Sequence, residues 1–408
     1  MRDSGVLKKL SILSSLSILL MTIPTLRADE LARILSPEKQ DIFRYQEEYN
    51  RLQSDKLKKS WIMPIRLQYR KNYTTQFADE TVNTGNYSVV IDQPIFKSGG
   101  IFYSIKYAEA LKSATASEIK LQKREMIGSA VRILFNFKKI RLQQQKLGLQ
   151  VKNDEIDIKL KSESYASGIL DSSFLDQAII KRNTDETELL ALELELEKLK
   201  SDFAFLSDKD PDRFVLPKLK LISRENYRRE HLQLHSDRLH AREKHYLSKM
   251  TWSQYLPEVS LQGQYIRGDI NPLFNNPILR DEYTNYSVTV SMPLNINSLT
   301  DIEAAKVAYM QAATEVIDQE KRVDLEYQTI FNSLHIIDRK IALDHKDEEL
   351  YRRLYTVTKN LEKAGEKTRY DTALMHNSLE IKRLDQKIHR IDRQLQLLTL
   401  YIKVNSVF

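Results

Sequence analysis

The sequence of 408 residues contains little glycine and little proline, with only 10 of each. A chain of this length with average composition would contain about 29 glycines and about 20 prolines. Turns depend largely on these two residues, so this chain cannot make many turns. The shortage disfavours a many-stranded sandwich and a doubly wound α/β enzyme, and it favours a few very long elements. Because 29% of the residues are charged and 41% are hydrophobic, we expect those elements to be amphipathic helices.

Cysteine is absent altogether. Its absence excludes a disulfide framework, a thiolate metal site, a cysteine nucleophile and a lipidated N-terminal cysteine. The excess of positive over negative charge is also small. The net charge is +7, and residues 1–28 carry +3 of it, which leaves +4 on the other 380 residues. So mild an excess of positive charge argues against a nucleic-acid partner.

The chain begins with features typical of a secretory signal peptide, which we predict over residues 1–28. Two lysines precede an apolar run over residues 10–23, and Ala28 offers a small residue for cleavage. The run has 14 residues, whereas a membrane-spanning helix needs about 20. A signal anchor and a buried helix are the alternatives. No later apolar run reaches 18 residues, so we expect export without a transmembrane helix.

Landmarks in the first half of the chain recur in the second half at a nearly constant offset. The matched pairs are Asn86-Tyr87-Ser88-Val89 with Asn285-Tyr286-Ser287-Val288, Pro94 with Pro293, Leu189 with Ile388, and Gly168 with Gly365. The first three pairs lie 199 residues apart and the last pair 197 residues apart. Several independent matches at one offset predict an internal duplication. We predict a first repeat over 29–207, a linker over 208–222 and a second repeat over 223–408, each repeat containing a helix, two strands, a long helix, a tight turn and a helix.

The predicted helices show the spacing of a coiled coil. Apolar residues alternate at intervals of three and four in two segments, namely Leu189, Leu192, Leu196, Leu199 and Ile388, Ile391, Leu395, Leu398. This rhythm predicts packing against neighbouring helices along the whole length. No proline occurs over 100–164 or over 298–363, so each stretch can form a helix of about 100 Å. No single compact domain needs a helix of that length.

Four short segments alternate apolar and polar residues, which predicts β-strands. One face would carry Leu67, Tyr69, Tyr87, Val89, Val259, Leu261, Tyr286 and Val288. The pattern fits an outer-membrane strand and a half-buried soluble hairpin equally well. Three features favour the membrane. The apolar faces of two lone hairpins lack a cover, export without a membrane helix leaves a barrel as the spanning structure, and Trp61, Trp252 and Tyr255 near the strand starts suit an interfacial aromatic belt.

A membrane barrel has at least about eight strands, so four strands per chain require an oligomer. A dimer would give eight strands, a trimer twelve and a tetramer sixteen, and a water-filled lumen disfavours eight. The residues alone leave trimer and tetramer open.

With this layout the chain resembles the TolC family of outer-membrane efflux proteins. The resemblance is carried by the strand-opening Pro64 and Pro257, the strand ends Tyr87–Pro94 and Tyr286–Pro293, the junction Pro94–Gly100, and the helix–helix turns Ser167–Leu170 and Ala364–Asp371. It implies a mainly α fold with a membrane β-barrel portion. Long coiled-coil helices would form an α-helical barrel, and four β-strands per chain would contribute to a trimeric, twelve-stranded transmembrane barrel.

The resemblance further implies a conduit and not an enzyme, with no catalytic residue, cofactor or metal. A homotrimer would stand in outer-membrane lipid, and its periplasmic tunnel would receive cargo from an inner-membrane transporter through a periplasmic adaptor, in efflux or type I secretion. Two competing interpretations are a periplasmic coiled-coil adaptor and an exported coiled-coil scaffold without channel activity. An adaptor should have one helical hairpin flanked by glycine-rich β domains, whereas two hairpins are predicted here.

The resemblance also implies residues at the tunnel tip. The expected aperture residues are Asp371, Arg369 and Asp176. The expected turn and adaptor-docking residues are Gly168, Leu170, Gly365 and Thr368. Asp371 matches an acidic residue of the family's aperture, and Arg369 is a candidate ion-pair partner for it. The position of a second aperture acid holds Leu374, which weakens the expectation of strong cation selectivity.

Four of the eight histidines lie close together, at His231, His235, His240 and His245. His231 and His235 have the i, i+4 spacing that can chelate a metal. Several arginines in the same stretch oppose a cation, and no acidic cluster completes a site. We therefore expect a solvated helix face here and no metal site.

Overall fold

The computed structural model describes residues 33–77, 80–270 and 278–405. The predicted signal peptide at 1–28 lies outside these ranges. Within them, none of the helices combines the length and the apolar character that crossing a membrane requires.

Long helices dominate the fold. The described residues form seven α-helices: α1 (Pro37–Lys58), α2 (Gly100–Ala166), α3 (Ser172–Leu206), α4 (Arg224–Arg229), α5 (Leu232–Ser253), α6 (Ser298–Lys363) and α7 (Arg369–Ile402). Helix α2 has 67 residues and α6 has 66, so each is about 100 Å long, as the proline-free stretches predict.

Two pairs of strands interrupt the helices. Strands β1 (Arg66–Phe77) and β2 (Glu80–Phe96) precede α2, and strands β3 (Glu258–Gly268) and β4 (Glu282–Ser291) precede α6. The order helix, strand, strand, long helix, helix thus occurs twice along the chain. The repeat boundaries and the linker over 208–222 stay predictions.

Local groups set where the helical hairpins reverse. Gly168 follows α2 with φ of 69° and Gly365 follows α6 with φ of 80°, a conformation that costs glycine little. Helix α7 then begins with a capping box, in which the Thr368 hydroxyl accepts the backbone N–H of Asp371 and the Asp371 carboxylate accepts the backbone N–H of Thr368. The position of each reversal is therefore determined by residues that are close in sequence.

Helices α2 and α6 run the full length of a four-column helical wall. In one half the order across the wall is α3, α2, α7, α6, and in the other half it is α1, α2, α5, α6. Helix α1 continues the line of α3, because the Ser36 N–H donates to the Leu206 carbonyl at 2.9 Å. Helix α5 continues the line of α7, because the Leu232 N–H donates to the Lys403 carbonyl at 2.8 Å. Two columns are thus continuous and two are made of stacked helices.

The main hydrophobic core lies where the stacked helices meet. Its buried members include Phe203, Tyr227, Leu234, Val323, Leu397 and Leu398. Gly128 of α2 lies in the same region, where a Cβ atom would come closer than 3.0 Å to side-chain carbons of Ile402. Gly148 of the same helix has no such neighbour within 4 Å. Close packing therefore explains one of these two helical glycines.

The strands form one antiparallel sheet in the order β1, β2, β3, β4. The register brings apolar residues of all four strands onto one face, among them Leu67, Val89, Tyr265, Leu261 and Val288. This face is open, since Leu67 is 79% exposed and Tyr286 is 82% exposed. The other face is polar and more shielded, since Ser88 and Ser260 on it are buried. The predicted alternation of apolar and polar faces is confirmed.

Candidate functional site

The two outermost columns of the wall carry exposed apolar side chains. On α6 these include Val307, Met310, Ile317, Ile336, Leu343, Leu350 and Val357. On α1 and α3 they include Ile42, Tyr45, Tyr49, Leu52, Ile180, Leu190 and Leu194. On α6, the residues Ile336, Leu343, Leu350 and Val357 recur every seven positions. This is the spacing of a helix that packs against another helix. Exposed apolar stripes of this length indicate contact surfaces.

The sheet continues this arrangement with two free edges and one polar face. Strands β1 and β4 each pair on one side only within the described sheet, so each presents unpaired backbone groups. The polar face holds a concavity of about 510 Å³, which is lined by Arg66, Asp92, Ser260, Gln262 and Thr289, among others. Charges of both signs therefore line the polar face.

The two helix–helix turns lie at the end of the wall that is farthest from the sheet, because α2 and α6 both leave the sheet and reverse there. Beside Gly168, Ile169 is 79% exposed and Leu170 is half-buried. Gly365 and Thr368 at the other turn are both exposed. These turns are accessible to another molecule, and their predicted role in adaptor docking stays a prediction.

Asp371 lies in the first turn of α7, next to this tip. Its carboxylate accepts hydrogen bonds from the Thr368 N–H and the Thr368 hydroxyl, each at 2.9 Å, and these bonds lower its pKa. Its nearest cation is the ammonium of Lys367 at 3.8 Å, and not Arg369. Arg369 and Asp371 are two positions apart in α7, and side chains at i and i+2 of a helix do not face each other. The aperture role of Asp371, Arg369 and the exposed Asp176 stays a prediction.

His231 is buried, which corrects the expectation of a solvated face for the histidine-rich stretch. Its side chain is 2% exposed, and its Nδ1 atom accepts the Leu234 N–H at 3.2 Å, which caps α5. His240 lies with its Nε2 atom 2.8 Å from the Glu118 carboxylate of α2, and only His235 of these three is exposed. Over the described ranges, no cluster of three or more His, Cys, Asp or Glu side chains can hold a metal.

A carboxylate that sequence reasoning missed lies beside His231 in the core. Glu326 of α6 accepts a hydrogen bond from the Tyr227 hydroxyl at 3.1 Å, pairs with Lys403, and lies 3.8 Å from His231 Nε2. Burial alone would raise the pKa of Glu326, but the neighbouring His231 imidazole and the hydrogen bonds from Lys403 and Tyr227 outweigh it and lower the pKa to about 2. A signal existed: Glu326 follows Val323 by three residues, inside an otherwise apolar stripe.

The residues of the predicted aromatic belt lie where the helical wall meets the sheet. Trp252 is near the end of α5 and is 45% exposed, and the Tyr255 hydroxyl donates to the Asp301 carboxylate. Trp61 lines a cavity at the same level. Their contact with a lipid interface stays a prediction.

Comparisons with known proteins agree on one fold. No sequence-family model matches the chain, and a search of curated proteins finds no match either. Among solved structures, the outer membrane protein VceC from Vibrio cholerae matches with a TM-score of 0.72 at 15% identity, over 93% of this chain and 96% of the other. The Campylobacter jejuni CmeC outer membrane channel matches with a TM-score of 0.72 at 13% identity, over 92% and 85%. The open state of the Neisseria gonorrhoeae MtrE outer membrane channel matches with a TM-score of 0.68 at 11% identity, over 92% and 87%.

Proposed function

Since the chain has the fold of the TolC-family outer-membrane channels, we propose that three copies form an export channel through the outer membrane. Each copy would contribute four strands to a twelve-stranded barrel and four helical columns to a periplasmic tunnel. The observation that carries the proposal is the continuity of one chain from a sheet with an exposed apolar face into a helical wall about 100 Å long. A conduit of this kind needs no catalytic residue.

Free edges on both sides of the protomer support a head-to-tail ring. The outer strands β1 and β4 have unpaired backbone groups, which cannot remain unpaired in lipid. If β4 of one copy pairs with β1 of the next, three copies satisfy every edge and close the barrel. The same rotation would bring α6 of one copy against α1 and α3 of the next, so that the exposed apolar stripes cover each other.

The two faces of the sheet support its orientation in the barrel. The apolar face, with Leu67 and Tyr286, would contact outer-membrane lipid, and the polar face would line a water-filled lumen. Arg66 and Asp92 both lie beside the concavity on the polar face, so the lumen would carry charges of both signs. A lumen of this kind suits the passage of varied cargo better than strict ion selectivity.

The tip of the wall supports a role for partners. The exposed turns at Gly168 and Gly365 would meet a periplasmic adaptor, and the adaptor would connect the tunnel to an inner-membrane transporter. Asp371, Arg369 and Asp176 would surround the aperture between these turns. Cargo would then be selected by the transporter and the adaptor, because a tunnel contacts everything that passes through it.

Single-channel recording in planar lipid bilayers tests the proposal. The purified protein should give discrete conductance steps, and its mass in detergent should equal that of three copies. Leu343→Lys places a charge in the exposed apolar stripe of α6 and should abolish both results. Lys340→Gln, at an exposed polar position of the same helix, is the matched control and should retain both. A wild-type protein that stays monomeric and gives no conductance steps would contradict the proposal.

A further inference from the structure

A cavity of about 350 Å³ lies where the helical wall meets the sheet. Its volume is at the small end of the range for small-molecule sites. The end of α1, the start of α2, the end of α5 and the start of β3 enclose it. Its apolar side is formed by Leu57, Trp61, Ile101, Met250 and Leu256. Its polar side includes Ser104, Tyr107, Lys97 and Glu258.

Packing of neighbouring copies in the proposed ring would not cover this cavity. Helix α1 turns one side toward α2, where Asn50 and Ser54 donate to α2 carbonyls. Leu57 continues that side at helical spacing, whereas the exposed apolar stripe of α1 lies on another side. The cavity's lining residues include none from α6 or β4, the elements that would form the opposite edge of the protomer.

The cavity opens toward the polar face of the sheet. Lys97 and Glu258 line both this cavity and the concavity of about 510 Å³ on that face. Glu258 belongs to the polar face because the next residue, Val259, pairs with Val290 on the apolar face. In a closed barrel the mouth of the cavity would therefore open into the lumen.

One positive and one negative group lie side by side at this mouth. Lys97 Nζ is 3.3 Å from a Glu258 carboxylate oxygen, and the two side chains are 32% and 37% exposed. A ligand with a single charge would separate this pair and leave one member without a counterion. A ligand with an ammonium and a carboxylate on neighbouring atoms can pair with both. Below the mouth, burial raises the pKa of Tyr107, so its hydroxyl stays a neutral hydrogen-bond donor.

We propose that this cavity binds amphiphilic small molecules that combine a compact zwitterionic head with an apolar body. The head lies between Lys97 and Glu258, and the body lies against Leu57, Trp61 and Met250. Binding follows from the cavity alone. The further claim that such molecules are exported through the lumen and bind transiently in this cavity rests on the proposed channel function.

The two tryptophans of the chain allow a direct test. Trp252→Phe leaves Trp61 as the only tryptophan, so its emission reports on the cavity. This protein, in lipid nanodiscs, is titrated with 2-aminooctanoic acid and with octanoate, octylamine and octanamide as anionic, cationic and neutral probes. We expect a saturable change in Trp61 emission with the amino acid, and binding weaker by about tenfold or more for the other three probes.

Charge variants in the same background sharpen the test. Lys97→Gln and Glu258→Gln should each weaken binding of the amino acid by about tenfold. Lys97→Gln should then favour octylamine over octanoate, and Glu258→Gln should favour octanoate over octylamine. Arg66→Gln is the matched control, because Arg66 lines only the neighbouring concavity, and it should change the affinity by less than about twofold.

Filling the cavity provides a second, independent variant. Ser104→Phe should abolish the saturable change, and the charge variants keep the proposal testable if this protein does not fold. A change in Trp61 emission that does not saturate would overturn the site. Equal affinity for the amino acid in the Trp252→Phe protein and in its Lys97→Gln and Glu258→Gln variants would overturn it as well. Single-channel recording on the same preparation separates the two proposals. Conductance without a saturable response refutes the binding site, whereas a response without conductance refutes the cargo role and the proposed channel and supports the site.

Discussion

The two glycines inside α2 should respond in opposite ways to the same substitution. Gly128 lies against the end of α7, where a Cβ would overlap Ile402, whereas Gly148 has open space around its Cα. Both lie in the interior of a 67-residue helix, so both gain the same backbone preference when changed to alanine. The difference between the two variants therefore measures the contact between α2 and α7.

The magnitudes follow from the two environments. Alanine is about 1 kcal/mol better than glycine inside a helix, so Gly148→Ala should raise the free energy of unfolding by up to that amount. At Gly128 the gain is opposed by overpacking, which costs about 1–3 kcal/mol in a closely packed core. The upper part of that range applies because the overlap involves Cγ1 of Ile402, which is bonded directly to Cβ, and not only Cδ1 at the flexible end of the side chain. We expect Gly128→Ala to lower the free energy of unfolding by about 1–2 kcal/mol, so the variants differ by about 2–3 kcal/mol.

Guanidinium titration followed by far-ultraviolet circular dichroism measures these differences. Protein concentration and detergent must be equal in all samples, since the stability of an oligomer depends on concentration. Ile402→Ala removes the side chain that obstructs the new methyl group. The double variant Gly128→Ala/Ile402→Ala should therefore be more stable than the sum of the two single effects, with a coupling of about 1 kcal/mol or more.

Two results would refute this reasoning. The first is a Gly128→Ala protein that is as stable as the Gly148→Ala protein. The second is additivity of Gly128→Ala and Ile402→Ala within about 0.3 kcal/mol. Either would mean that the end of α7 does not pack on α2 at this level.

Glu326→Gln should lower the free energy of unfolding by about 2 kcal/mol near neutral pH, in guanidinium titrations at a series of pH values. Because the carboxylate pKa is lowered from 4.5 to about 2 in the folded state, its stabilising effect is complete above pH 4.5 and disappears as the pH falls through about 2; a difference that is independent of pH would contradict the assignment. Asp371→Ala removes the helix cap, which costs about 1 kcal/mol, and should weaken block by divalent cations in single-channel recording. Thr368→Ala removes the same cap and should keep the block, and unchanged block in the Asp371 variant would exclude Asp371 from the aperture. Val288→Arg on the apolar sheet face should cost about 2–4 kcal/mol in a bilayer and reduce the yield of outer-membrane trimer. Thr289→Arg on the polar face is its control, and equal yields would reject the proposed orientation of the sheet.

The sequence alone determined the features that repeat locally along the chain. The lengths of α2 and α6 follow from proline-free stretches, and their packing follows from apolar residues spaced by three and four. The strands follow from alternation, and the hairpin reversals follow from Gly168 and Gly365. Each of these signals is carried by residues that are neighbours in sequence, so a period or a single turn residue is enough to detect it.

The resemblance to the TolC family predicted the arrangement of these elements. The match to solved structures confirms a mainly α fold with four strands per chain. No single motif carried this inference. The order of Tyr87–Pro94, Gly168, Tyr286–Pro293 and Gly365 along the chain carried it, because that order sets the connectivity of the fold.

Only the tertiary structure decided which side chains meet between columns. His231 lies in a stretch rich in arginine and was predicted to be solvated, yet it is buried beside Glu326. Trp61 lines a cavity together with Lys97 and Glu258, a grouping that no local pattern indicates, and its role in an aromatic belt stays a prediction. The partners in each group are far apart in sequence, and their distances depend on how stacked helices meet end to end. A local period records which side of a helix is apolar, but it holds no information about which residue of another column will lie opposite.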